Sequence, residues 1–419
     1  MQLQLRTVLN RVHKLKSFVY SDVRLIEGKQ GPRIEARVEP RRNARSSCPQ
    51  CGKARPRYDR QPQRTFEFIP LWNILVLLVY SPWRVKCPEH GVVVEAMPWA
   101  HGKSPMTHAL MCFLASWAKR LSWLETARCF QSSWDKVRAS VEWVVAWGLE
   151  HRNLDGIEAL GIDEVAWRKG HKYLTLVYDI SAGTRRLLWI GQDRTCATIR
   201  GFFEWLGEER CACVRYVCSD MWKPYLRTIR KYASNALNIL DRFHIAKHLN
   251  DAVDQTRRQE AADFRRKGDK VILKHARWCL LKRVKNLTYH QSVRLHELLK
   301  LNLRVVRAYL MKEDFDAFWA YNRPAWAGRF LDAWCTRAMR SRIEPMKKVA
   351  KMLRNHRDLI LNYFRAKKQF NSGVVEGLNN KLKLVTRKAY GYRSVETIKI
   401  ALYHALGNLP MPPTTHRFV

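Results

Sequence analysis

The spacing of apolar and polar residues changes character along the chain. Up to about Met97, short β-branched and aromatic clusters alternate with Arg, Pro and Cys, which predicts short strands and loops. Over residues 104–150, Trp and Leu recur at three- and four-residue spacings, which predicts helices. Residues 153–156 read as a linker. Beyond it, apolar runs predict strands over 159–163, 173–178, 186–190, 213–218 and 236–240, with helices over 198–206 and 223–232. Three strands, a helix, a strand, a helix and a strand make an α/β layer with Asp163, Asp220 and Asp241 at strand ends. Over 251–368 no strand signal survives, and a final helical block covers 372–406.

Charge narrows the partner. The 419 residues hold 76 Lys and Arg against 37 Asp and Glu, a formal charge of +39. Compaction against that self-repulsion favours a polyanionic partner, with nucleic acid ahead of a membrane surface. The longest apolar run, residues 69–80, is broken by Pro70 and Asn73 and is shorter than the ~20 residues of a spanning helix. Residues 1–20 are rich in Lys and Arg and lack an apolar signal core. Eleven cysteines spread over such a chain are not a disulfide framework. The expectation is a cytoplasmic, nucleoid-associated protein without membrane attachment.

Three of the cysteines and one histidine form two knuckles, Cys48-Pro49-Gln50-Cys51-Gly52 and Cys87-Pro88-Glu89-His90-Gly91. Three sulfurs and one nitrogen suit tetrahedral Zn²⁺, and four protein ligands leave no open position, so the expected role is structural. The spacer would form a hairpin carrying Phe66, Phe68, Trp72 and Trp83; the competing reading is free buried thiols. Next, Ser122 and Glu125 have the spacing of a capping box, residues 130–133 read as a turn, and Ser133 as the cap of a second helix with a valine stripe. Such a helix-turn-helix would bring Lys136 and Arg138 to the major groove. A plain packing hairpin is the alternative.

If the first and fourth strands of the layer are neighbours, Asp163 and Asp220 converge, and two carboxylates at one spot call for a divalent cation. A third acid is available downstream. On a helix, Glu376, Asn380, Lys383 and Arg387 share one face, opposite Val375, Leu378, Leu382 and Val385. Such a face offers a carboxylate to metal and then cations to a phosphate backbone, with Lys388 adjoining. Glu164, Asp179, Asp193 and Asp241 are competing acids that the sequence leaves open.

Several ordered blocks resemble the ISL-three-type insertion-sequence transposases. Gly161-Ile162-Asp163-Glu164 with Arg168-Lys169-Gly170-His171-Lys172-Tyr173 is similar to the first catalytic block, and Ser219-Asp220-Met221-Trp222-Lys223-Pro224-Tyr225 to the second. Asp241-Arg242-Phe243-His244 resembles the Asp-x-x-His signature. Asn371-Ser372-Gly373-Val374-Val375-Glu376-Gly377-Leu378-Asn379-Asn380-Lys381, running on to residues 387–393, resembles the third block. Residues 276–288 and 308–313 are similar to the helical insert. His90 stands where that family more usually has Cys.

The resemblance implies an α/β multi-domain chain: a ribonuclease-H-like catalytic core interrupted by an all-α insertion, preceded by a zinc ribbon-like module and a helix-turn-helix. The expected boundaries are 1–100 for the zinc-binding module, 101–152 for the helix-turn-helix, 153–250 and 369–419 for the core, and 251–368 for the insertion. It further implies a DDE transposase, with Asp163, Asp220 and Glu376 holding two Mg²⁺ (or Mn²⁺) ions and Asp241 and His244 bracing the site. The activity would be cleavage and strand transfer on double-stranded DNA, at the element's inverted-repeat ends and at the target. Pairing two ends implies at least a homodimer. The alternative is a non-catalytic DNA-binding regulator derived from a transposase.

Overall fold

The computed structural model describes residues 4–28, 31–168, 170, 172–268, 272–369 and 373–413. Lys169, His171, Asn371 and Ser372, parts of the first and third blocks, lie outside the described residues. The chain divides into two units, Met1–Asn153 with Leu382–Val419, and Leu154–Lys381.

The first unit starts with a helix that the sequence pattern did not predict, α1 (Leu5–Val12), followed by strands β1 (Phe18–Gly28), β2 (Gly31–Pro40), β3 (Arg57–Arg60), β4 (Arg64–Leu71), β5 (Ile74–Tyr80), β6 (Trp83–Cys87) and β7 (Gly91–Val94). Four of them form a sheet in the order β1-β2-β5-β4, and three form a second in the order β3-β6-β7. Alternate residues of β4 and β5, Phe66, Phe68, Val76 and Leu78, turn inward and pack with Phe18, Tyr20 and Trp99. Helices α2 (His108–Ala118), α3 (Trp123–Cys129) and α4 (Trp134–His151) follow. Ser122 caps α3 in a reciprocal box with Glu125, and the Ser133 hydroxyl accepts from the Lys136 N–H at the start of α4.

The second unit is built on strands β8 (Ala159–Arg168), β9 (Lys172–Asp179), β10 (Arg186–Gln192), β11 (Tyr216–Ser219) and β12 (Leu237–Leu240). The order is β10-β9-β8-β11-β12, with β8, β9 and β10 antiparallel and β8, β11 and β12 parallel. Helices α5 (Cys196–Leu206), α6 (Glu208–Cys213) and α7 (Lys223–Tyr232) make the connections. The acids of α6 favour a helix N-terminus, so Cys213 closes a helix instead of opening the fourth strand as its apolar run predicted. Ile162, Val177 and Val217 of the sheet pack with Ile199, Phe202 and Phe203 of α5 in one core.

Helices α8 (Arg242–Arg266), α9 (Arg277–Leu281), α10 (Tyr289–Leu299), α11 (Arg304–Asp316), α12 (Pro324–Arg340), α13 (Glu344–Asn355) and α14 (Arg357–Arg365) form the helical region. Leu303 gives α11 no side-chain cap; the buried Glu260 carboxylate accepts from the Arg304 and Val305 N–H groups instead, at 2.8 and 2.9 Å. Trp319 packs edge-on against Phe318, whereas Trp278 is more than half exposed.

The final block divides into α15 (Gly373–Lys388) and α16 (Val395–Leu406). Tyr390 and Gly391 take left-handed backbone, and the Gly391 N–H closes on the Thr386 carbonyl at 3.0 Å, ending α15 where the periodicity alone ran on. The boundary between the two units falls within α15. In the first unit, Ile400, Tyr403 and Leu409 pack on the core of α2 and α4.

Candidate active site

Parallel pairing of β8 and β11 sets Ala159 beside Tyr216 and Gly161 beside Cys218. Asp163 lies two residues beyond Gly161 on the same face of β8, and Asp220 two residues beyond Cys218, just past the end of β11. That face is covered by α15, at whose closest approach the Val375 side chain occupies the space where a Cβ on residue 161 would project. One turn further along α15, Asn379 donates to Asp163 Oδ2 at 2.5 Å and accepts from the Tyr178 hydroxyl at 2.8 Å, so Tyr178 fixes which end of the amide meets the carboxylate.

Both aspartates line a cavity of about 320 Å³, together with Glu164, Arg194 and His244. Asp163 Oδ1 accepts the Glu164 N–H at 2.7 Å, and Asp220 Oδ1 accepts the Met221 N–H at 2.5 Å. His244 Nδ1 lies 3.1 Å from Asp220 Oδ1 and 3.9 Å from Asp241 Oδ2. Asp241 also caps α8 through the Phe243 N–H at 2.7 Å. Arg194 Nε lies 3.2 Å from Glu164 Oε1, and its Nη2 lies 3.4 Å from Asp220 Oδ2.

Burial pushes the carboxyls of Asp163 and Glu164 up. Asp220 is pulled up by burial too, yet hydrogen bonding and charge from His244, with help from Met221 N–H and Arg194, hold it below the ordinary value. The Asp220 carboxylate, as acceptor for the His244 ring, in turn raises His244 despite burial. Asp163 and Asp220 are thus pushed in opposite directions at one cavity.

The third expected acid is placed differently. Glu376 is exposed on α15 and is not among the residues lining the cavity. It precedes Asn379 by three residues, so it projects from the same side of the helix one turn earlier. Asn380, Lys383 and Arg387 are also exposed, opposite buried Val375, Leu378 and Leu382. Among the described residues no three carboxylates come within 4.8 Å of one another. The donor set nevertheless fits a hard divalent cation: the carboxylates of Asp163 and Asp220 line one cavity.

Periodicity did not single out Arg194, Glu164, Tyr178 or Asn379. The Asn-Asn pair three residues after Glu376 was the available signal for Asn379. Arg194 offered none, since its partners are Glu164 within β8 and Asp220 just after β11.

In the first unit, Cys48, Cys51, Cys87 and His90 present ligand atoms that all lie within 4.8 Å of one another. Cys51 and Cys87 sulfurs are 3.8 Å apart, and His90 Nδ1 is 3.7 Å from Cys48 Sγ and 3.5 Å from Cys87 Sγ. A tetrahedron with Zn–S of about 2.3 Å has sulfurs about 3.8 Å apart. Left-handed Gly52 and Gly91 close the two knuckles. The Lys53 N–H is the main influence lowering Cys51, and Cys87, though burial raises it, is held low by the Glu89 and His90 N–H groups. This donor set could hold a metal ion.

The expected DNA contacts divide. Lys136 is ion-paired to Glu67 at 2.6 Å, and the Arg138 guanidinium lies 5.9 Å from the Trp134 ring. Lys383 and Arg387 are exposed; Lys388 is half-buried, its ammonium lowered by burial and opposed by Glu125. No helix among the described residues is long and apolar enough to cross a membrane.

Asp163 lies within β8, which runs on to Arg168 instead of ending at residue 163 as its apolar run predicted, and Asp220 directly follows β11. Residues 160–402 match a family model described as transposase, of the ISL-three type. The chain is 30% identical over 352 residues to the transposase for insertion sequence element IS1001 of Bordetella parapertussis, covering 83% of this chain and 86% of that one. It is 30% identical over 416 residues to the transposase for insertion sequence element IS1557 of Mycobacterium tuberculosis, covering 92% and 91%. The chain belongs to the ISL-three-type transposase family.

Proposed function

We propose that this protein binds the terminal inverted repeats of an insertion sequence and catalyses metal-dependent cleavage and strand transfer of DNA. The supporting observation is that Asp163 on β8 and Asp220 just after the neighbouring strand β11 line one cavity, beneath a helix that carries Glu376. The sheet order favours a ribonuclease-H-like core, with the helices after β12 as its insertion.

In this reading Asp163, Asp220 and Glu376 hold divalent cations, Mg²⁺ or Mn²⁺. Bound ions would activate water, or a 3′-hydroxyl, and offset charge on the phosphate. Asn379 aims Asp163 by holding Oδ2, and His244, oriented between Asp220 and Asp241, keeps Asp220 ionised. Glu376 must move from its exposed position toward the cavity, a movement we assign to the arrival of DNA and metal. The Cys48, Cys51, Cys87 and His90 site holds structural Zn²⁺. The front modules and the face bearing Lys383 and Arg387 contact DNA, and two copies join two ends.

The test is cleavage of a duplex containing one element end and its flank. Wild type is expected to cut only with Mg²⁺ or Mn²⁺ and to join a labelled 3′-hydroxyl end to a second duplex. Asp163→Asn, Asp220→Asn and Glu376→Gln should each bind the duplex but not cut it. Binding without metal-dependent cleavage by the wild type would instead identify a non-catalytic regulator.

A further inference from the structure

The cavity contains an ion pair that the proposed reaction does not use. Only 8% of the Glu164 side chain is exposed, and although Arg194 Nε lies 3.2 Å from its Oε1, neither atom has an aligned hydrogen bond. The same guanidinium reaches Asp220 Oδ2 at a long 3.4 Å, and its Cζ lies 4.9 Å from the centre of the Trp222 ring. A 3.2 Å contact without alignment and a 3.4 Å one at the limit of hydrogen-bond range mark a cation held by charge more than by directional bonds. Electrostatically, it does at Asp220 and Glu164 what a divalent ion would do.

We propose that Arg194 is a displaceable counter-ion: in the metal-free protein it neutralises Asp220, and when a divalent cation reaches Asp220 it withdraws onto Glu164. The buried Glu164 carboxylate keeps the guanidinium compensated after withdrawal, and the Trp222 face gives it a surface to slide along. Arg194 and Glu164 are positioning residues in this scheme, which rests on Asp220 being a metal ligand.

Displacement has a signature that fixed charges lack. Arg194→Gln removes the competitor and is expected to tighten Mn²⁺ binding about five-fold, the scale of one partly exposed ion pair. Glu164→Gln removes the refuge and is expected to weaken binding about five-fold. Glu164 matters here only through Arg194, so the double variant should bind like Arg194→Gln, about five-fold tighter than wild type. Fixed charges would act additively and return the double variant to the wild-type value. A Glu164 that ligated metal would drive it below wild type.

The experiment is calorimetric titration of Mn²⁺ into the full chain without DNA, for wild type, Asp220→Asn, both single variants and the double. The double variant decides, because it strands no buried charge and so escapes the main folding risk of the singles. Double-variant affinity within two-fold of wild type, or below it, overturns the proposal. Undiminished Mn²⁺ binding by Asp220→Asn would overturn the metal reading itself, and the counter-ion with it.

Discussion

Gly161 offers the sharpest perturbation of the site, because it changes no polar group. A Cβ there would stand 2.5 Å from Val375 Cγ2 and 3.3 Å from Ile180 Cγ2, against an ordinary contact of at least 3.4 Å. The larger conflict is about 0.9 Å. Val375 is β-branched and on a helix, so rotation gives little relief. The backbone of α15 must retreat from β8, and Asn379 and Glu376 move with it. Overpacking of this size costs about 1–3 kcal/mol, leaving most of a domain's typical 5–15 kcal/mol. Misplacement of reacting groups by about 1 Å, in contrast, costs on the order of 10²-fold in rate. Gly161→Ala is therefore expected to fold, to bind element-end DNA within two-fold of wild type, and to cleave it about 100-fold more slowly in single turnover. Val375→Ala removes the atom in conflict, at about 2 kcal/mol for its two methyls. In the double variant cleavage should recover to within about five-fold of wild type. Unimpaired cleavage by Gly161→Ala, or a double variant as slow as the single, would refute the claim that α15 is seated through this contact.

Other expectations can be checked separately. The isolated protein should contain one tightly held zinc per chain, by atomic emission; Cys48→Ser should lose it together with the folded β3-β6-β7 sheet, whereas His90→Cys should keep it, and zinc content unchanged in Cys48→Ser would refute the four-ligand site. Asn379→Ala leaves Asp163 and the Tyr178 hydroxyl without their shared partner and should cost about 1–3 kcal/mol in urea unfolding; no measurable loss would mean that water replaces the amide. His404 is buried beside Lys119 and Lys388, and burial first, then those charges, push it down to about 3. The unfolded chain takes up that proton below about pH 6.5 and the folded one does not, so stability is complete above that pH and drains at about 1.4 kcal/mol per unit as pH falls toward 3. Between pH 6.5 and 5, His404→Phe should lose about 2 kcal/mol less than wild type in urea unfolding; equal losses would refute this assignment.

What the sequence reveals here follows how local each cause is. The caps of α3 and α4 are legible because Ser122, Glu125 and Ser133 act within three residues of themselves. The knuckles are legible because each ligand pair and its left-handed glycine form one short turn. Asp163 and Asp220 could be paired only once β8 and β11 were taken as neighbours, which strand order decides and periodicity does not. Lys136 illustrates the opposite case. Its place near the start of α4 suggested a groove contact, but Glu67, sixty-nine residues earlier, holds its ammonium in this structure. Asn379 meets Asp163 across 216 positions and Arg194 meets Asp220 across 26, with no spacing rule to announce either.

The charge pattern explains why such distant partners are needed. A chain of +39 attracts DNA from afar whatever its details, but that field cannot hold several carboxylates at one cavity when no metal is present. Like charges a few ångströms apart must be separated, protonated or countered locally. The site does each in part: Glu376 stays in solvent, burial favours the protonated form of Asp163 and Glu164, and Arg194 and His244 counter Asp220. An arrangement evolved only to pack would replace these acids with apolar residues at little loss. Keeping Asp163, Glu164 and Asp220 at one cavity, each compensated by a different means, fits the proposal that a divalent cation replaces the compensation.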